Sequence, residues 1–386
     1  MTITIRRVRP ILTMPDGFNR LVVVKVETSE PELYGVGCAT FTQRPTAVRT
    51  AITDYLEPFL VGKPVNAIED LWQTMYVNAY WRTGPIMNNA ISGVDQALWD
   101  ILGKRAGLPL YELLGGRCRG GATIYRHAEG RDPAEVADAV RGFQEQGVRH
   151  VRCQQNGYGG TTFDAQAYGR SVPRLFDYLR EELGPEVELI HDVHERLSPA
   201  DAVTLASRLS EHRLFYLEDP LPPEHLAWLP RLRQHSTVPI ALGELFTNPQ
   251  EWLPLLERRE IDFIRVHVSA IGGLTPARKL AAVSEAFGVR TAWHGPRDTS
   301  PVGHAAQLHL DVTAHNFGIQ EWPGFPSTVE EVFPGCPRAE DGFLYPSSLP
   351  GIGIDIDEEA AAKFPISEGP DHWTLVRLPD GTPIRP

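Results

Sequence analysis

The chain is predicted to be an α/β protein, a (β/α)8 barrel with an α+β capping domain built from both chain ends, and three observations carry that prediction. From about residue 122, short apolar β-rich runs alternate with amphipathic helical stretches, as parallel strands with crossover helices do. Eight such runs occur before the pattern ends near residue 325. Reactive polar residues stand at the ends of these runs, where a barrel builds its active site.

Residues 1–121 form the first part of the capping domain. Thr2–Val8 and Arg20–Val26 read as strands, Tyr34–Gly37 as a Gly-rich turn, and helical patterning follows. Within residues 88–106, Ile91, Val94, Leu98, Ile101 and Leu102 fall at helical spacing, and GLPLYELLGG reads as a short helix closed by glycines.

The barrel occupies residues 122–325. Its strands are ATIYRH (122–127), HVRCQ (150–154), VELIHD (187–192), LFYLE (214–218), PIALGE (239–244), DFIRVHV (262–268), RTAWHG (290–295) and FGIQEW (317–322). Helical segments between them include SPADAVTLASRLSEH, which opens on the capping pair Ser198-Pro199. An open doubly wound sheet is the competing arrangement, but no GxGxxG follows a first strand. Residues 326–386 are rich in Pro and Gly, read as irregular chain with short strands, and are assigned back to the capping domain.

At 386 residues, 42% hydrophobic and 22% charged, the chain has the composition of a globular protein with a large core. No apolar run approaches bilayer-spanning length, and MTITIRRVRP lacks the apolar stretch of a secretory signal, so a cytoplasmic location is expected. A net charge of −12 argues against general nucleic-acid or anionic-membrane partners and suits a cation site. Cys38, Cys118, Cys153 and Cys336 show no CxxC or framework spacing, which points to reduced thiols rather than disulfides or thiolate zinc.

The strand ends carry His127, Arg152, Asp192 with His194, Glu218, Glu244, Arg265 with His267, His294 and Glu321. Unpaired charge inside a core is costly, so charges ending successive hydrophobic strands imply one shared polar pocket. Asp192, Glu218 and Glu244 are spaced by 26 and 26 residues, one βα unit each. Three carboxylates at adjacent strand ends repel unless a cation holds them, and all-oxygen ligation selects a hard ion, Mg2+ before Zn2+. Any one of these acids could instead cap a helix or pair with an arginine; three in succession make that reading the weaker one. In HDVHE, strand alternation sends Asp192 and His194 to the pocket and His191 to a structural position on the opposite side.

The motifs HDVHE, FYLEDPLPPE, ALGELF, IRVHVSAIGGLTP, AWHGPRDTSP and FGIQEW, with YWRTGPIMNNAISGVDQALWDILGKRAGLPLYELLGG upstream, together resemble the enolase superfamily. More narrowly they resemble its mannonate dehydratase subgroup, which includes starvation-sensing RspA-type and D-galactonate dehydratase family members. The resemblance covers nearly the whole chain. It implies Mg2+ on Asp192, Glu218 and Glu244, and dehydration of a hexonate such as D-mannonate to a 2-keto-3-deoxy acid through an enediolate. It places Gln43, His127, His194, Glu244, Arg265, His294, Asp298 and Glu321 on the sugar acid. Tyr158, supported by Arg152, becomes the base, and His194 the acid that protonates the departing hydroxyl. Family members commonly assemble as tetramers or larger homo-oligomers.

This sequence also departs from the family pattern. VRCQ on the second strand lacks the paired lysines that other branches use as a base. The loop QNGYGGTTFDAQAYG is short and offers Tyr168 as an alternative to Tyr158. Thr42-Gln43 replaces the asparagine of efficient family dehydratases, Pro296 follows the HG pair in place of a smaller residue, and RLPDGTPIRP lacks a tryptophan. These departures bear on substrate fit more than on metal binding. They keep open a second reading, a sensor that retains the metal site and binds a sugar acid or lactone without turnover. A structural barrel with an incidental acidic pocket is the third.

Overall fold

The computed structural model describes residues 2–155, 161–367, 369 and 375–385. Strands β1 (Ile5–Thr13), β2 (Leu21–Thr28) and β3 (Tyr34–Cys38) form an antiparallel sheet in that order. The central strand β2 is buried on both faces because its two sets of alternating residues enter different cores. Val22, Val24 and Val26 pack with the capping helices, while Leu21 and Val23 face the barrel side.

The YGVG segment, expected as a turn, is strand β3. Its glycines are there for close packing rather than for bending. A Cβ on Gly35 would stand 2.0 Å from the Ala97 carbonyl oxygen, and one on Gly37 would stand 2.1 Å from that of Gly93. Helix Pro85–Ala106 therefore rests directly on β3, and Gly107 ends it in the left-handed conformation (φ 67°).

The eight barrel strands are β4 (Ala122–Gly130), β5 (His150–Gln155), β6 (Glu188–Asp192), β7 (Tyr216–Glu218), β8 (Ile240–Leu242), β9 (Phe263–Ile264), β10 (Arg290–Thr291) and β11 (Gln320–Glu321). They pair in parallel and in sequence from β4 to β10. The circle closes because β11 pairs with β4, and Thr291 bridges Phe317 just before β11. Side-chain oxygens of Asp132, Asp164, Ser198, Asn248 and Ser300 cap the helices that return the chain between strands, satisfying amides left open at each helix start.

Tyr125, Ile190, Tyr216, Ala241, Phe263, Ala292 and Ile319 form one inner cluster, a single side-chain layer drawn from seven strands. The barrel is filled at this level, so a pocket forms only above it.

The capping domain sits over that upper end. Asn88 Nδ2 donates to the carbonyls of Thr247 (2.8 Å) and Ala270 (2.7 Å), and Trp72 Nε1 to that of Gly272 (2.8 Å). Asp95 accepts from the Thr275 amide (2.9 Å). Thr247, Ala270 and Gly272 lie in the loops after β8 and β9, and Thr275 stands at the start of helix Leu274–Ala286, which follows β9. The carboxyl-terminal segment touches both units. Its hairpin, β12 (Ala339–Glu340) with β13 (Phe343–Leu344), pairs antiparallel with β4. Glu358 then accepts from Arg9 Nη1 (2.9 Å) and Lys25 Nζ (2.9 Å). Among the described residues no helix is long and apolar enough to cross a membrane.

Candidate active site

Six of the seven inner-layer residues are followed two positions later by a polar one: Tyr125 by His127, Ile190 by Asp192, Tyr216 by Glu218, Phe263 by Arg265, Ala292 by His294 and Ile319 by Glu321; Ala241 is followed by Gly243. Period-two alternation thus lifts every one of these side chains to the next level of the barrel interior. On β5, Arg152 donates from Nη1 to Asp192 Oδ2 at 3.0 Å.

Pairing sets the acids apart. Asp192 is the register partner of Glu218, so the two stand side by side, whereas Glu218 is opposite Ala241. Glu244 lies three residues past Ala241, beyond the positive-φ Gly243 (φ 133°), and reaches in from the loop. Its Oε1 is 3.7 Å from His194 Nε2, and its Oε2 is 3.3 Å from His294 Nε2 and 3.8 Å from Arg265 Nη1. Among the described residues, the acids whose oxygens lie within 4.8 Å of one another are Asp192, Glu218 and Asp219.

Asp219 was not singled out from sequence, since alternation would turn it away from Glu218. Its left-handed backbone (φ 38°) breaks that alternation. One carboxylate oxygen accepts from the Gly243 amide at 3.1 Å, and its carbonyl accepts from the Glu195 amide at 2.9 Å. The other carboxylate oxygen is buried without a hydrogen-bond partner among the described residues. Asp219 thereby ties together the ends of β6, β7 and β8.

Arg265, with a side chain 1% exposed, is the counter-charge at the centre. Nη2 lies 2.7 Å from Glu218 Oε1 and 2.6 Å from Glu321 Oε2, and donates to Tyr125 Oη at 2.9 Å. The contact to Glu218 lacks hydrogen-bond alignment, so both Glu218 oxygens remain buried without an aligned donor among the described residues. Glu321 is better served, because its Oε2 accepts from the Gly295 amide at 2.7 Å and from Arg265 Nη2 at 2.6 Å, while its Oε1 lies 2.8 Å from His127 Nε2 without hydrogen-bond alignment.

The charges follow from this arrangement. Burial pushes Glu218 and Asp219 well above the usual carboxylate range; Arg265 pulls Glu218 back, and Glu244 drives Asp219 further up. Glu244 is also raised by burial, against the pull of His194. Burial likewise disfavours charge on Glu321, but Arg265 and His127 outweigh it and hold that carboxyl well below its ordinary value. The buried acids on the β7 and β8 side share the single guanidinium of Arg265, which does not offset their burial, and a bound cation would supply further positive charge. Three carboxylates and no thiolate or imidazole among the candidate ligands form an oxygen donor set suited to Mg2+.

His194 reaches the pocket by a route other than strand alternation. β6 ends at Asp192, and left-handed residues His194 (φ 54°) and Glu195 (φ 61°) turn the chain back. Asp192 Oδ1 accepts from the His194 amide at 2.7 Å and holds that turn. His191 faces the other way: its Nδ1 lies 3.1 Å from the Cys153 carbonyl, an acceptor only, so Nε2 accepts from Tyr168 Oη at 2.8 Å. Burial pushes the Tyr168 phenol far above its ordinary value, the opposite of what a phenolate base requires. Tyr168 and His191 line a cavity of about 340 Å³ with Gln154 and Arg196. Tyr158 lies outside the described residues.

Gln43 is half-buried in the capping-domain turn before helix Pro45–Thr50, and its carbonyl accepts from Arg44 Nη1 at 2.6 Å. Asp298 is half-buried in the turn between β10 and helix Pro301–Thr313. His267 lies beside His294, their Nδ1 atoms 2.9 Å apart. Its place at a strand end was visible in the sequence, but its partner was not.

Comparison with known proteins matches residues 6–115 to the mandelate racemase / muconate lactonizing enzyme N-terminal domain and residues 135–360 to the enolase C-terminal domain-like family. A D-galactonate dehydratase family member of Salmonella enteritidis is 53% identical, covering 99% of this chain and 98% of its own length. The family member RspA of Pantoea ananatis is 52% identical over 99% of both chains. A crystal structure of an enolase from Pantoea ananatis with bound D-gluconate and Mg superposes with a TM-score of 0.97, at 51% identity and with 100% of each chain covered.

Proposed function

The chain belongs to the enolase superfamily and, within it, to the D-galactonate dehydratase family of acid-sugar dehydratases, and on that premise we propose that it dehydrates a hexonate of the D-mannonate or D-gluconate type with Mg2+. The observation that carries the reading is Glu218: a wholly buried carboxylate beside Asp192, raised by burial, with neither oxygen taking an aligned hydrogen bond among the described residues. Such a group is costly unless a cation meets it. Asp192, Glu218 and Glu244 are the proposed ligands, and the Pantoea relative carrying Mg and D-gluconate supports both the ion and the substrate class.

When bound, Mg2+ supplies electrostatic stabilisation for the dianionic enediolate left when the proton alpha to a carboxylate departs. The chain's own residues do the rest. Arg265 and His294 offer donors to the acid's oxygens, while His127 and Glu321 hold each other across the β4–β11 seam. Tyr158 takes the alpha proton, with the Arg152 guanidinium favouring its phenolate. His194 gives its proton to the departing hydroxyl, the carbon–oxygen bond breaks, and water leaves. The resulting enol tautomerises to the 2-keto-3-deoxy acid.

A panel of sugar acids with Mg2+, read by formation of the 2-keto-3-deoxy product, tests the proposal. Tyr158→Phe should abolish turnover and leave Mg2+ binding intact; unchanged turnover rejects Tyr158 as the base. If no acid turns over while one still raises the melting temperature, the protein is a sugar-acid sensor with a retained metal site.

A further inference from the structure

We propose that Gln307 and Gln320 are positioning residues, a relay of two side-chain amides that closes the seam between β10 and β11 where backbone pairing stops. The relay sets His294 and Glu321 relative to each other. The seam assignment stands on geometry alone; its effect on a bound sugar acid rests on the proposed function.

Among the described residues, backbone bonds between the two segments end at Thr291, which donates to the Asn316 carbonyl (3.0 Å) and accepts from the Gly318 amide (2.8 Å). Beyond it the β10 chain stays joined to β9, since the His294 amide donates to the Val266 carbonyl at 3.1 Å. On the β11 side, side chains take over. The His294 carbonyl accepts from Gln307 Nε2 at 2.9 Å, and the Gly295 amide donates to Glu321 Oε2 at 2.7 Å. Pro296 follows and has no amide hydrogen to continue a ladder.

The two glutamines have a fixed direction. A carbonyl only accepts, so Gln307 turns Nε2 to His294 and Oε1 away from it. That oxygen accepts from Gln320 Nε2 at 3.1 Å, and the second hydrogen of Gln320 Nε2 goes to the Glu321 carbonyl at 2.8 Å. Strand alternation aims Gln320 outward, because Ile319 and Glu321 point into the barrel. Both glutamines are buried, so a broken link is left unmade instead of being replaced by solvent.

Helix Pro301–Thr313 carries the grip. His304, one turn before Gln307, donates from Nε2 to the Pro296 carbonyl at 3.3 Å. Gly295 lies pressed between the two contacts: a Cβ there would stand 3.0 Å from Gln307 Oε1, 3.0 Å from His304 Cε1 and 3.3 Å from Gln320 Nε2. The helix thus holds three consecutive residues, 294 to 296, by their backbone.

Two site groups inherit their placement from this brace. His294 stands on the held segment, and Glu321 Oε2, which takes the Gly295 amide, also accepts from Arg265 Nη2 at 2.6 Å. Arg265 and His294 are the donors proposed for the acid, and a misplacement of about 1 Å can cost up to about a hundredfold. The proposed metal ligands Asp192, Glu218 and Glu244 come from the β6 to β8 side, outside the relay.

Hydrogen exchange of the full chain, read by mass spectrometry, tests the relay. In Gln307→Met and in Gln320→Met, peptides spanning residues 290–298 should exchange about tenfold faster, while peptides of β6 and β7 keep the parent's rates. Two links of one chain are not additive, so the double variant should exceed the worse single one by less than about threefold. Unchanged exchange in either variant, or multiplied effects, overturns the relay. Gln307→Asn keeps a buried amide one methylene short and should show the same local loosening if the methionine variant does not fold. Calorimetry then separates positioning from general weakening: D-gluconate binding with saturating Mg2+ should weaken about tenfold, with Mg2+ affinity within about threefold of the parent. Equal losses for both, or no loss for D-gluconate, overturn the positioning role. If the parent binds no D-gluconate while the exchange pattern holds, the sugar-acid reading fails and the seam relay stands.

Discussion

Replacing Arg265 with Met would expose how the acidic pocket is held together. The guanidinium is 1% exposed, lies 2.7 Å from Glu218 and 2.6 Å from Glu321, and donates to Tyr125. Methionine keeps much of the volume and removes the charge, leaving two buried carboxylates without their common partner. Removing one member of a buried ion pair costs about 3–5 kcal/mol. With an unfolding entropy of about 2.1 cal/mol/K per residue over 386 residues, that becomes a melting temperature lower by about 4–6 °C. The variant should also respond more strongly to metal, because the cation nearest Glu218 is gone. In the parent, Mg2+ at one hundred times its dissociation constant adds about 2.7 kcal/mol, or about 3 °C on the same scale. Differential scanning calorimetry of both proteins, with chelator and with Mg2+, reads both effects. A metal-free Arg265→Met protein that melts within 1 °C of the parent would refute the electrostatic account, as would a Mg2+ shift no larger than the parent's.

Three further outcomes follow from the same geometry. Asp219→Ala frees the Gly243 amide and the approach of Glu244, so Mg2+ affinity measured by calorimetry should fall about tenfold, while Asp219→Asn, which keeps an acceptor, should fall less; equal losses would refute the tie between β7 and β8. Burial holds His150, His304 and His309 down to about 4, against about 6.5 in the unfolded chain. Between those values the unfolded chain binds protons that the folded one does not, so stability is full above about pH 6.5 and declines toward pH 4, by up to about 1.4 kcal/mol per pH unit for each histidine. Urea midpoints that do not move between pH 7 and pH 4.5 would count against this. Gly35→Ala drives a methyl against the Ala97 carbonyl at 2.0 Å and should destabilise the protein by about 1–3 kcal/mol or more in chemical denaturation, and a neutral result would mean β3 and its helix separate freely.

Much of the fold is legible in the sequence because periodicity and strand-end chemistry are local. Eight β-rich runs, the polar residue two places after six of the seven inner ones, and the capped helix start at Ser198-Pro199 depend on neighbours in the chain, and alternation alone aims His127, Asp192, Glu218, Arg265, His294 and Glu321 inward. What sequence spacing could not decide is phase between strands. Asp192, Glu218 and Glu244 are evenly spaced along the chain, yet hydrogen-bonded register sets Glu218 opposite Asp192 and opposite Ala241, leaving Glu244 to reach in from a loop. The left-handed residues at His194, Glu195 and Asp219 are equally invisible, since tertiary hydrogen bonds hold those turns and none is a glycine. YGVG carries the composition of a turn and becomes a strand only because a helix must lie against it. The pairing of His267 with His294 joins residues 27 apart whose Nδ1 atoms meet only when β9 and β10 are in register. Sequence determined which chemistry gathers at the barrel mouth; tertiary structure decided which groups share a proton, a charge or a cation, because those depend on distances of a few ångströms between strands that the chain visits far apart.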